Sequence, residues 1–232
     1  ESLSRKSVGI VTQNEQSEGT PLIDAVYYLR RAMQPYADLT LGSIDALLEG
    51  GHAVIILPDI AGMPVETLNA LQAWVEDGGL LLRFAGPNMT RDIQNTPLLP
   101  VPLRRGGRNL QGALSWEQPL KITEFDTTSP FYGLDVPGEV TVRTQILAAP
   151  GAELEGKVWA RLEDGTPLIT ADILGQGRVV LVHTTSTAEW SDLALSGLFV
   201  EMLKRVTALA GAPLNAITGT RIQTLDPIFT LD

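Results

Sequence analysis

The sequence predicts an α/β fold: a three-layer sandwich on a mostly parallel sheet, with a β-rich insertion. Three observations predict it. Up to Gly86, short apolar runs alternate with amphipathic stretches of helical period, the pattern of strand–helix–strand units with right-handed crossovers. The runs Ala53-Val54-Ile55-Ile56-Leu57 and Val179-Val180-Leu181-Val182 are apolar at every position, as a strand covered on both faces must be. Between Asn88 and Gly177 the helical period disappears, and prolines and glycines become frequent, which marks a segment of different character.

Each element follows in order. Ser7 to Thr12 is a buried first strand. Thr20-Pro21 is an N-cap followed by proline at the first helical position, and Leu22, Val26, Leu29 and Met33 share one face of a helix reaching about Gln34. Asp38 to Leu41 is a short strand, and Ile44, Leu47 and Leu48 a short helix closed by Gly50-Gly51. After the strand at Ala53–Leu57, Pro64 restarts a helix whose buried face is expected to be Val65, Leu68, Leu71, Trp74 and Val75. Gly78-Gly79 ends it, and Leu80 to Phe84 is the next strand.

Within the insertion, Thr141–Ala148, Lys157–Leu162 and Pro167–Leu174 read as strands, partly extending the sheet in the antiparallel sense. Asp164-Gly165 forms a hairpin turn. Val179 to His183 closes the sheet. Ser186 with Glu189 has capping-box spacing, and Ser191 competes for the same role. Trp190 is expected over the start of the last helix, with Asp192 at the positive end of its dipole. Leu195, Leu198, Phe199, Met202, Leu203, Val206 and Leu209 define that helix. The expected organisation is one flavodoxin-like domain over 1–211, with 88–177 as the insertion and 212–232 as a tail or linker.

Composition narrows the chemistry. With 17 Lys+Arg against 27 Asp+Glu the net charge is −10, so there is no basic excess to bind a phosphate backbone, and nucleic acid is excluded as a partner. There are no cysteines, which removes disulfides, thiolate metal sites and cysteine nucleophiles. Two histidines, His52 and His183, offer little for a metal site. No metal and no cofactor is expected. The chain opens Glu1-Ser2-Leu3 without methionine and holds no membrane-spanning run. We therefore expect a processed or excised piece whose parent carries further segments.

Two stretches resemble a known family. AVIILPDIAGMPVETLNALQAWVEDGGLLLRFAGP (Ala53 to Pro87) and GQGRVVLVHTTSTAEWSDLALSGLFVEMLKRV (Gly175 to Val206) resemble the class I glutamine amidotransferase-like fold. The likeness is to the branch found in bacterial membrane-anchored proteins of unknown function and in sugar-hydrolase accessory domains. Asn88 to Val140 is poorly matched. The resemblance implies membrane attachment through segments outside this chain and an extracytoplasmic, periplasmic location, with the cytoplasm as the alternative. It also implies a cysteine on a strained strand-to-helix turn, with a histidine and a glutamate near a later strand end. The turn falls at Ala85, between Phe84 and Gly86, and no serine or threonine stands within Arg83 to Asn88. His183 and Glu189 lie about where the family keeps its pair, but farther apart. Without a nucleophile, a nearby base has nothing to activate. The resemblance implies the fold while the residues deny the activity.

In open α/β sheets ligands bind beyond the carboxyl ends of the strands. The ends at Thr12-Gln13-Asn14, Pro58-Asp59, Phe84-Ala85-Gly86 and His183-Thr184-Thr185 should converge on one rim. Candidate ligand-binding residues are Gln13, Asn14, Asp59, Ala85, Gly86, His183 and Thr184. Each has a structural competitor. Asp59 reads as an Asx turn or a cap for the Pro64 helix, His183 as a strand-end histidine bonded to a carbonyl, and Gln13-Asn14 as a solvated loop. Arg104, Arg105 and Arg108 form the one local basic cluster, suited to an acidic partner or lipid headgroups but as readily solvated. The leading reading is a noncatalytic interaction or ligand-binding domain, with a protein or small molecule as its unidentified partner. The competing readings are a hydrolase acting on an amide or carbohydrate through a displaced rim site, and a homodimerisation domain.

Overall fold

The computed structural model describes residues 5–12, 25–104 and 113–212, without the side chains of 113–117. The strands are β1 (Lys6–Val11), β2 (Ala37–Gly42), β3 (Val54–Pro58), β4 (Leu80–Phe84), β5 (Ala113–Lys121), β6 (Thr141–Ile146), β7 (Val158–Arg161), β8 (Pro167–Leu174) and β9 (Gly177–Val182). The helices are α1 (Ala25–Met33), α2 (Ile44–Glu49), α3 (Val65–Glu76), α4 (Pro87–Arg91) and α5 (Gly197–Ala208). Seven strands form one sheet in the order β2-β1-β3-β4-β9-β8-β7. The pairs from β2 to β9 are parallel, while β8 is antiparallel to β9 and β7 to β8. The chain has the expected α/β sandwich, and the end of the insertion extends its sheet.

The all-apolar strands are explained by the two layers they serve. Val54 and Ile56 of β3 pack into one core cluster with α1 and α5, while Ile55 and Leu57 pack into a second with α2 and α3. Alternate side chains leave opposite faces of a strand, so both sets must be apolar. The β8–β9 turn docks on the end of α3, where Gln176 N–H donates to the Glu76 carbonyl at 2.8 Å. A Cβ on Gly177 would stand 2.0 Å from the Val75 carbonyl oxygen, so only glycine fits there.

Several expectations are corrected. On α3 only Leu71 and Val75 are buried, while Leu68 and Trp74 are half-buried and Val65 is 70% exposed. The helix stands on the sheet through a narrower stripe than its apolar pattern suggests. The last helix is capped by neither Ser186 nor Ser191. Ser196 is its N-cap and accepts from Phe199 N–H at 3.2 Å. Leu195 falls before the helix and is 64% exposed. The expected Thr20-Pro21 helix start and the tail beyond 212 lie outside the described residues. No described helix is long and apolar enough to cross a membrane.

Candidate functional site

The carboxyl ends of β3, β4 and β9 do form one rim, and it has two unlike halves. Over β4 and β9 it is covered. The insertion returns as β6 and lies across the end of β9: Ile146 N–H donates to the His183 carbonyl at 2.9 Å, and Arg143 and Thr144 N–H both donate to the Trp190 carbonyl. Leu103 pairs with Ala148 on the far side. Beneath this cover Ala85, Met89, Leu103, Ile146, Leu181 and Trp190 form a small apolar cluster of their own. Ala85 has no exposed surface. Its φ lies outside the left-handed region, in contrast to Asp59 and Leu98. Trp190 belongs to this cluster, not to the start of α5. Asp192 accepts from Arg143 Nη1 at 2.8 Å and Thr141 Oγ1 at 2.7 Å, so it fastens β6 to the loop after β9 and does not serve the helix dipole.

His183 is fully buried. Its Nδ1 lies 2.7 Å from the Ile146 carbonyl, which can only accept, so Nδ1 carries the proton. Nε2 then accepts from the Thr170 hydroxyl at 2.9 Å. Both nitrogens are satisfied in the neutral tautomer, and burial pulls the imidazole pKa down to about 4. Such a group neither reaches a substrate nor has a free lone pair to take a proton. Thr184 is buried too, its hydroxyl donating to the Thr144 carbonyl at 3.1 Å. Glu189 is exposed at the surface of the same loop.

Over β3 the rim is open. Asp59 follows β3 directly and holds φ at 50°, a left-handed backbone costly for a side chain that has a Cβ. That turn aims its carboxylate across the rim to the first turn of α4, where Oδ2 accepts from Asn88 N–H at 3.0 Å and Oδ1 from Met89 N–H at 2.9 Å. Asp59 is therefore a helix cap, but of α4 and not of the helix after Pro64. Gly86 makes the approach possible: a Cβ there would lie 2.3 Å from Asp59 Cγ. Burial raises the Asp59 pKa, the two backbone donors and Arg91 oppose this, and Glu189 adds to it. Asn88, Arg91 and Glu189 thus surround Asp59 on the accessible side, with Arg91 Nη1 donating to Asn88 Oδ1 at 3.1 Å.

Sequence reasoning missed Arg83. It sits in the buried run Leu80 to Phe84 and is wholly inaccessible. Its Nη2 donates to the Ile60 carbonyl and its Nη1 to the Pro97 carbonyl, with Leu98 O at 3.4 Å. Nε has no partner. Burial lowers its pKa to about 10 and Asp59 pulls it back up, so it stays cationic at neutral pH. Asp59 and Leu98, whose φ is 53°, are the non-glycine residues with left-handed backbone among those described. Both flank carbonyls that Arg83 holds. Backbone strain persists only where its surroundings over-determine it, and the buried guanidinium does that here. One sequence signal was available: a lone arginine within an otherwise apolar central strand.

Gln13, Asn14, Arg105 and Arg108 lie outside the described residues, and Arg104 is exposed. No group of three or more metal-ligating side chains occurs among the described residues. A small cavity between the sheet and α5 is lined by apolar side chains such as Leu82, Phe84, Met202 and Val206, on the face of the sheet opposite α2 and α3.

Comparison with solved structures supports the fold. Two cytoplasmic proteins from Salmonella typhimurium match with TM-scores of 0.61 and 0.62, each at 15% identity, over 88% of this chain and 98% and 99% of theirs. A ThuA-like protein from Parabacteroides merdae matches with TM-score 0.58 at 14% identity, over 90% of both chains. ThuA-like proteins have a glutamine amidotransferase-like fold, so at this coarse level the sequence resemblance and the architecture agree. A β-galactosidase from Rahnella sp. R3 matches with TM-score 0.61 at 15% identity, over 90% of this chain but 32% of that enzyme. Neither a protein-family model nor a curated protein sequence matches the chain.

Proposed function

We propose that this chain is a noncatalytic, amidotransferase-like domain that binds a partner protein or a small molecule. The observation that carries the reading is the burial of Ala85 beneath β6. The position that would bear a nucleophile lacks one and also lacks access. His183, committed on both nitrogens, supplies no base. The envelope setting, with membrane anchoring through segments outside this chain and an extracytoplasmic location, is the part of the reading that rests on the sequence resemblance.

The test is a glutaminase assay of the full chain and of the Ala85→Cys variant. Neither should release ammonia from glutamine above the protein-free rate. In the native variant the thiol should resist iodoacetamide and react after urea is added. Turnover by the wild type that His183→Gln abolishes would sink the reading, as would rapid labelling of the native thiol.

A second reading, hydrolysis at a displaced site, is favoured by one observation. The open half of the rim holds a strained, half-buried carboxylate ringed by Asn88, Arg91 and Glu189. Asp59→Asn keeps an acceptor for the helix but removes an acid or base. A screen of amide and glycoside chromogenic substrates that finds turnover lost in this variant would establish it.

A further inference from the structure

We draw no further inference here: the strongest candidate, the outer edge of β2 with Leu41 43% exposed, has no strand paired to it among the described residues, and nothing in the structure shows what covers it.

Discussion

The two halves of the carboxyl rim solve the same problem in opposite ways. Every strand end there exposes backbone groups and leaves a gap between loops. Over β9 the chain fills the gap with its own insertion, and the buried polar groups, His183 and Thr184 among them, bond to backbone carbonyls of β6. Over β3 it leaves the gap accessible and stiffens its walls from below, with Arg83 gripping two strained segments and Asp59 tying one of them to α4. A covered half is held by packing; an open half must be held by directed bonds and backbone strain. The closed half forfeits access to substrate, whereas the open half keeps a preorganised surface.

The largest expected effect comes from breaking the open half. Gly86→Ala places a methyl 2.3 Å from Asp59 Cγ and 2.6 Å from both of its oxygens. Asp59 cannot retreat without losing two cap bonds. Destabilisation of about 3 kcal/mol is expected in urea unfolding. The sharper form adds Asp59→Gly, which removes the clash and relieves the left-handed backbone. The double variant should then be more stable than the sum of the single losses predicts. Additive losses would mean that the contact does not couple the two segments.

The covered half should reveal itself through pH. His183 is neutral in the fold down to about pH 4, whereas in the unfolded chain it binds a proton near 6.5. Between those values the unfolded state holds the extra proton, so stability rises with pH. The contribution is complete above about pH 6.5 and declines toward pH 4, by at most about 3 kcal/mol. His183→Gln should flatten stability over that window relative to wild type. An unchanged slope would show that the imidazole reaches solvent, and with it the rim.

How far these halves were legible in the sequence depends on the range of the interactions. The sheet was legible because period-two and period-3.6 patterns are local: β3, β4 and β9 declare themselves by apolar runs that two covering layers require. That Ala85, Gly86, Asp59 and His183 approach one rim followed from the topology alone. What sat on the rim was not legible. The cover comes from β6, more than fifty residues beyond Ala85 in the sequence, and nothing local in Thr141 to Ile146 says where it lands. Asp59 read as a cap for the nearest helix because capping is usually local; its true partner α4 begins after the next strand. Arg83 was lost inside an apolar run because its three carbonyl partners come from two separate loops.

The next effect in size tests the charge on Asp59. Asp59→Asn keeps the shape and one acceptor, but loses the charge that favours the N-terminal end of α4 and faces buried Arg83. A loss of about 1–2 kcal/mol is expected by urea unfolding at neutral pH. Hydrogen exchange should quicken at Asn88 and Met89 but not at Ile146, whose N–H belongs to the covered half. Faster exchange at all three would mean that the halves are not independent.

The smallest effect concerns the fastening of the cover itself. Arg143 and Asp192 meet at 2.8 Å, each with 36% of its side chain exposed. The hydrogen bond from Arg143 leads the causes that hold the Asp192 carboxyl below the usual range. A depressed carboxylate contributes stability above its unfolded pKa and loses it as pH falls through the folded one. Solvent screens a pair this exposed, so Arg143→Met should cost only about 0.5–1 kcal/mol at neutral pH and almost nothing once Asp192 is protonated. The cover should stay in place regardless, because the backbone bonds from Arg143 and Thr144 to the Trp190 carbonyl do not need the side chain. Iodoacetamide labelling of Ala85→Cys in the Arg143→Met background measures that directly. A thiol that stays protected assigns the closure to packing and backbone, while one that becomes reactive makes this surface ion pair the latch of the covered half.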